Sequence, residues 1–518
     1  MVRIQVLLLI DTIHIVANQC TPQAPNDIVK CLPTSATRPY DLAIFLVSPS
    51  LARLVDPQSP FLADAVTHIF RNSVTQDTAV TTLIAIVDRI PGTPGSRNEN
   101  GEFDGLSLYL DRLDLGAPDL LAKSTASEDS VRSREQPGVL TFEVSNALVD
   151  VPERLTESVE VPLANTLFSN GRLSTMFKIP WDISGDVVSP GPTTYISKQR
   201  VIFTGPKWTT TLKVPLIPLT SARKIRTSMG NIIRQISGPD DVDMPASSEL
   251  EKAVLQYSAK TLTTMENVIQ QLKGLKREKA ALQYEKKRRR MERLKIWACI
   301  YPPHSKTLDL KPDAWSSISN KLSDQLLAGA RLHRVQSGGG GWGAKQGLLS
   351  LDPEQSFLES ETDSSPDESR LFGSGDYGYA VTDIAKEDEL IQFFVTTDSW
   401  NGTLDPQRKS STYVFGACAA QEDASNEGYP ISSNPARNED SGEQQLISSL
   451  SNYFGALSEK GISIRQDRET ADGKPLTSRK TKLDVPSSCI RMRLRHSKIV
   501  SSWPAKTLLK AFDTMMSR

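Results

Sequence analysis

The run Asp41-Leu-Ala-Ile-Phe-Leu-Val47, closed by Ser48-Pro49, is the stretch on which the fold reading turns. An unbroken apolar run ended by turn residues is what a strand buried on both faces requires. From 59 to 72, Leu62, Val66, Ile69 and Phe70 recur at helical intervals, and 79–87 is a second apolar run ending in Asp88-Arg-Ile-Pro-Gly92. Strand, helix and strand imply a parallel pair joined by a right-handed crossover. Further strands are predicted at 105–110, 138–144, 193–203 and 209–216, with a charged, Ser-rich loop at 124–135. Within 159–177, Asn170-Gly171 lies between two β-prone runs. Asn-Gly supplies the positive φ angles of a tight turn, which predicts an antiparallel hairpin.

Working outward, no proline occurs between Pro245 and Pro302, and Ser248-Glu-Leu-Glu251 has the spacing of a capping box. Val254, Tyr257, Thr261, Met265, Val268, Leu272, Leu275 and Leu282 then recur every three or four residues. That pattern predicts one long amphipathic helix over 248–300, reaching about 75 Å at 1.5 Å per residue. Gly274 weakens such a helix by about 1 kcal/mol without stopping it. A helix this long needs a partner, so Val254, Tyr257, Met265, Val268, Leu272, Leu275 and Leu282 are the candidate partner-binding residues. Beyond it come a short helix at 314–332 and a Gly-Trp-Gly block at 337–343. The stretch 352–389 carries twelve acids against Arg370 and Lys386, which reads as a solvated linker. Strands are predicted at 390–397, 412–419, 462–465 and 490–494, and a helix at 443–460.

The fold class expected is therefore α/β: an N-terminal mixed sheet with flanking helices, a long central amphipathic helix, and a C-terminal α+β module with disordered insertions. The boundaries are an uncertain extension at 1–35, the α/β domain at 36–236, the basic helix at 248–300, a helical and Gly-rich connector at 301–350, the acidic linker at 351–388 and the small module at 389–518. At roughly 150 residues per domain, 518 residues allow about two to four domains, the remaining segments being linkers.

Sixty Lys and Arg balance 61 Asp and Glu, which excludes a globally basic nucleic-acid binder but leaves room for local patches. One patch stands out: 273–295 holds eleven basic and three acidic residues, with Lys286, Lys287, Arg288, Arg289 and Arg290 consecutive. Such a run suits phosphate backbones through counterion release. Its other readings are a solvated helix flank, a nuclear-import signal, or docking onto the acidic segment. Five cysteines without a Cys-x-x-Cys spacing and five scattered histidines argue against a disulfide framework and a metal centre. Gly338, Gly340 and Gly343 match a dinucleotide spacing but lack the following helix, and Ala344-Lys345-Gln346 lacks the Ser/Thr of a phosphate loop. No nucleophile elbow or Cys/His signature appears, and Asp88 and Asp111 at strand ends read as caps. Asn401-Gly-Thr403 and Ser365-Pro366 are modification motifs supported by composition alone. No cofactor is expected. The apolar N-terminal run is interrupted by Asp11 and His14, too short for a signal core or a membrane span.

The strand at 41–47 and the block Val161-Pro-Leu-Ala-Asn-Thr-Leu-Phe-Ser-Asn-Gly171 resemble the FIST-type sensory domain family. The resemblance covers about 200 N-terminal residues and implies small-ligand binding and signalling to attached modules; it transfers no binding residue. Together these features point to an intracellular, non-enzymatic sensory or assembly scaffold that engages a protein partner, or a second copy, through its central helix. The alternative is an RNA-associated factor, organellar in one version, using the basic helix. Mitochondrial, nuclear and cytoplasmic addresses stay open.

Overall fold

The computed structural model describes residues 11–17, 24–34, 40–70, 78–92, 102–111, 125–126, 138–147, 153–184, 187–203, 208–291, 294–303, 305, 315–338, 347–358, 384–396, 411–420, 447–470 and 474–494. The deciding stretch behaves as its sequence requires. Leu42–Val47 pairs parallel with Thr78–Ile86, and all six of its residues are buried. Ala43, Phe45 and Val47 face the helices Ala24–Cys31 and Pro60–Phe70, while Leu42, Ile44 and Leu46 face a second sheet. Period-two alternation between two apolar layers is why the run contains no polar residue.

Around this pair the molecule departs from the α/β expectation. Strands hold 49% of the described residues and helices 24%, so the fold is mostly β. A thirteen-stranded sheet runs Ile447–Ser451, Asp11–Ala17, Gly105–Asp111, Leu42–Val47, Thr78–Ile86, Met176–Ser184, Thr194–Phe203, Val139–Ala147, Glu153–Pro162, Ile462–Thr470, Pro475–Leu483, with two short strands at its sides. A four-stranded sheet, Trp208–Lys213, Cys489–Leu494, Thr412–Ala417 and Tyr453–Ser458, packs on its inner face. Aromatic rings fill the space between: Phe142 stacks on Phe415 at 4.3 Å, and Phe203 lies 4.5 Å from Tyr413. Such packing supplies both area and a preferred geometry.

The third body is a closed antiparallel barrel of six strands: Arg223–Met229, Ile232–Ser237, Leu349–Leu351, Arg331–Gly338, Ile296–Tyr301 and Leu390–Thr396, the last returning to the first. Closure leaves these strands no open edge. Ile225, Ile233, Ala298, Ile300, Leu351 and Phe393 fill the inside. Trp297, Cys299 and Tyr301 alternate with the interior residues and join the sandwich core, so barrel and sandwich share a wall.

Four expectations are corrected. Among the described residues the C-terminal stretch forms no separate α+β module: strands from 390 onward enter the barrel and both sheets, several beside strands from the first 220 residues. Where a helix was predicted at 443–460, the described residues form two strands, Ile447–Ser451 and Tyr453–Ser458, separated by Asn452 at φ 65°, a conformation Asn tolerates better than most residues. They join different sheets. Asn170-Gly171 does not join a hairpin. Gly171 has the expected positive φ of 77° but ends the short helix Leu167–Asn170, and the flanking strands pair elsewhere. Finally, the single central helix is two helices, Ala246–Gln271 and Leu275–Met291. Leu272 is extended and Gly274 takes φ 57°, so the chain reverses into a helical hairpin. The capping box is unused; the helix begins at Ala246, and Glu249 instead accepts from Arg223 Nε at 2.8 Å.

No helix among the described residues is long and apolar enough to cross a membrane. The Gly-Trp-Gly block, most of the acidic linker, the first ten residues, and the Ser365-Pro366 and Asn401 motifs lie outside the described residues.

Candidate functional site

The helical hairpin carries every residue singled out above for binding. Its first helix is anchored at its root by the buried residues Ala246, Ser247 and Leu250, and Val254 packs on the barrel core. Further out, Leu262, Met265, Ile269 and Leu272 are half-buried at the spacing of a seam against the second helix, and Tyr257 is half-buried as well. The Tyr284 hydroxyl donates to Glu266 across the hairpin. The apolar stripe expected to seek a partner is thus largely used within the chain, whereas Val268, Leu275 and Leu282 are exposed. Lys286, Arg288 and Arg289 are also exposed and Lys287 is half-buried; the Arg290 side chain lies outside the described set.

A second constellation forms where barrel and sandwich meet, around a cleft of about 440 Å³. Trp297 and Arg334 are opposite each other on adjacent barrel strands and face the cleft together. Asp352 and Glu354 follow the barrel strand Leu349–Leu351. From the sandwich come Lys482 and Asp484, at the end of Pro475–Leu483, and Lys460, in the turn after Tyr453–Ser458.

The floor is built around Lys482, whose side chain is only 10% exposed and whose ammonium meets Asp352 at 3.1 Å and contacts Glu354 more closely. Burial disfavours that charge, but Glu354, Asp352 and Asp484 outweigh it and hold the ammonium above its ordinary pKa. Beside it, the Trp297 indole N–H donates to Asp484 Oδ1 at 2.7 Å. Burial raises the Asp484 pKa, against the opposing effects of the indole and of Lys482. Three carboxylates therefore face one buried ammonium. At the rim, Arg334 and Lys460 are exposed and make no side-chain ion pair among the described residues.

Buried contacts fix this geometry from behind. His333, inside the barrel, places Nδ1 2.9 Å from the Asp352 carbonyl oxygen, and burial lowers its pKa to about 4, so Nδ1–H donates from a neutral ring. Glu160, buried in the sandwich, accepts from the Phe357 N–H at 2.8 Å and from the Ser356 hydroxyl. Asp88 accepts from Ser458 Oγ at 3.0 Å and Glu459 N at 2.8 Å, which holds the turn bearing Lys460. Gly461 completes that turn at φ 84°, and a Cβ there would meet Leu483 O at 2.4 Å.

Of these groups the sequence reading singled out Asp88 alone, as a strand-end cap; its carboxylate instead holds the distant turn at Ser458 and Glu459. It placed Asp352 and Glu354 in a solvated linker; they are instead ligands of Lys482. The available signal was Lys482-Leu-Asp484, two charges flanking a core leucine at a strand end. Comparison with protein-family models, curated proteins and solved structures finds no match to this chain.

Proposed function

We propose that the chain is a ligand-responsive scaffold whose cleft holds a compact zwitterion, a molecule of α-amino-acid type. One observation carries this: groups of both signs, from separate segments of barrel and sandwich, converge on a single recess. Its volume lies in the small-molecule range. The surplus of carboxylate at Asp484, Asp352 and Glu354 favours an ammonium at the floor. Arg334 and Lys460 favour a carboxylate at the rim, and the Trp297 and Phe357 rings supply flat apolar walls. A ligand in this position touches both bodies and ties them together, which is what a sensor needs to convert occupancy into a change of shape or partner affinity.

Calorimetric titration of the full chain with amino acids, with amines lacking a carboxylate and with carboxylates lacking an amine tests this. The expected outcome is binding of the zwitterions alone, lost in Asp484→Asn and in Arg334→Met. Binding of only amines, only carboxylates, or nothing in the panel refutes it. The assembly half of the reading rests on the hairpin, where Val268, Leu275 and Leu282 remain available to a protein partner.

A further inference from the structure

We infer that the helical hairpin is a docking arm for the phosphate backbone of double-helical nucleic acid. The second helix, Leu275–Met291, holds eight Lys and Arg against two Glu in 17 residues. The first helix holds two Lys against three Glu, a net of −1 that leaves the hairpin strongly positive. Within the basic helix Arg288 pairs with Glu285 at 3.2 Å, half exposed on both sides and worth little in water.

The arm is also presented to a large partner. Among the described residues, burial on the hairpin is confined to Ala246, Ser247 and Leu250 at its root and to Met291, and the basic helix is exposed over most of its length. From Lys276 to Arg289 it extends about 20 Å, and that length of duplex offers on the order of ten phosphate charges. Cations near the end of this helix also complement its dipole, but that accounts for the last turn alone. Lys276, Arg277 and Lys279, at the opposite end and exposed, gain nothing from it. The type of nucleic acid follows from what is missing. Tyr284, the sole aromatic residue of this helix, is half-buried and donates its hydroxyl to Glu266, so no stacking platform for unpaired bases is formed. Charge without stacking selects backbone phosphates held in a fixed array, that is, a duplex.

The test is fluorescence anisotropy of the full chain with a labelled 20-base-pair RNA duplex, the DNA duplex of the same sequence, the single strands, and polyglutamate as competitor. With about four phosphates neutralised, affinity for a duplex falls on the order of 100-fold between 50 and 200 mM salt. Two variants are compared: Lys286→Glu, Lys287→Glu, Arg288→Glu, Arg289→Glu together, and Lys276→Gln, Arg277→Gln, Lys279→Gln together. Each is expected to lose tenfold or more with unchanged circular dichroism, and the second guards against a folding defect near the barrel. RNA preferred over DNA, or the reverse, identifies the source of the duplex and supports the inference either way. The inference is overturned if no duplex binds at 50 mM salt, if binding ignores salt or both variants, if single strands bind better, or if polyglutamate displaces the duplex at lower concentration, which marks an acidic protein as the partner.

Discussion

Replacing Gly274 by Ala tests the balance that folds the central segment back on itself. Gly274 sits at φ 57°, where a Cβ costs about 1–2 kcal/mol, and Ala favours a continuous helix by about 1 kcal/mol more. The substitution therefore moves the equilibrium toward one straight helix by about 2–3 kcal/mol. Against this stand Leu262, Met265, Ile269 and Leu272, half-buried in the seam. At about 1 kcal/mol each, half the value of full burial, they contribute about 4 kcal/mol, and the Tyr284 bond to Glu266 adds about 1. The hairpin should survive Gly274→Ala by about 2 kcal/mol, with a few per cent open. Adding Met265→Glu and Ile269→Glu removes the remaining margin of about 2 kcal/mol and sets two carboxylates against the seam, whose desolvation tips the hairpin open. Spin labels at Lys260 and Arg288, with Cys20 and Cys31 changed to Ser, report the outcome. Helices packed side by side place the labels about 10 Å apart between axes, and a straight helix of 28 intervening steps places them about 42 Å apart. A long distance in Gly274→Ala alone, or a short one in the triple variant, refutes this balance of seam against turn.

Three further outcomes are expected. Asp484→Asn keeps an acceptor for the Trp297 indole but removes a carboxylate that burial penalises. Because the folded pKa of Asp484 is raised, its protonated form stabilises the fold below the unfolded pKa and that stability is lost as pH rises through the folded value. Urea unfolding at pH 7 should therefore find the variant more stable than the parent, with the difference vanishing below pH 4, while zwitterion binding is abolished. His333 titrates near 4 when folded and at 6.5 in the open chain, so its contribution is complete above 6.5 and is lost as pH falls toward 4. That loss amounts to about 3 kcal/mol, and His333→Gln should flatten the slope between pH 6.5 and 4 in the same assay. In the small sheet, a Cβ at Gly455 would stand 1.8 Å from Val414 O, whereas one at Gly171 meets nothing within 4 Å. Gly455→Ala should cost more than about 4 kcal/mol or abolish soluble yield, and Gly171→Ala about 1, the cost of its positive φ alone.

What could be read in advance was whatever is local. The strand at 42–47 declares itself because both of its faces are buried and every residue is apolar, and its partner shows the same run from Leu83 to Ile86. Most predicted strands formed, several of them with one face buried and the other polar. Partner choice was not legible: Ile462–Thr470 pairs with Glu153–Pro162 across some 300 residues of chain, and nothing in the periodicity of either strand names the other. The segment 443–460 failed through a coincidence of spacing, since Ile447, Leu450, Phe454 and Leu457 recur at helical intervals yet belong to two strands joined at Asn452. In the central segment helical spacing was legible, but the length was wrong, and the seam uses Leu262 and Ile269 while Val268, Leu275 and Leu282 are exposed. Gly274 entered the sequence reading as a weakened helical position, when its value lay in the positive φ that lets the two halves bury each other.

The two candidate sites differ in the same way. The basic arm is contiguous, so its charge is visible from a window of 20 residues. The cleft joins Trp297, Arg334, Asp352, Lys482 and Asp484, residues that become neighbours only once barrel and sandwich share a wall. In isolation each is an ordinary strand-end charge or a core aromatic. Their meaning comes from the cost of the arrangement. A buried ammonium facing several carboxylates is no aid to stability compared with apolar packing of equal volume. Asp484 works against the fold at neutral pH, and an amide in its place would satisfy the same indole. A site built for packing alone has no use for that negative charge, whereas a site that must hold an ammonium does.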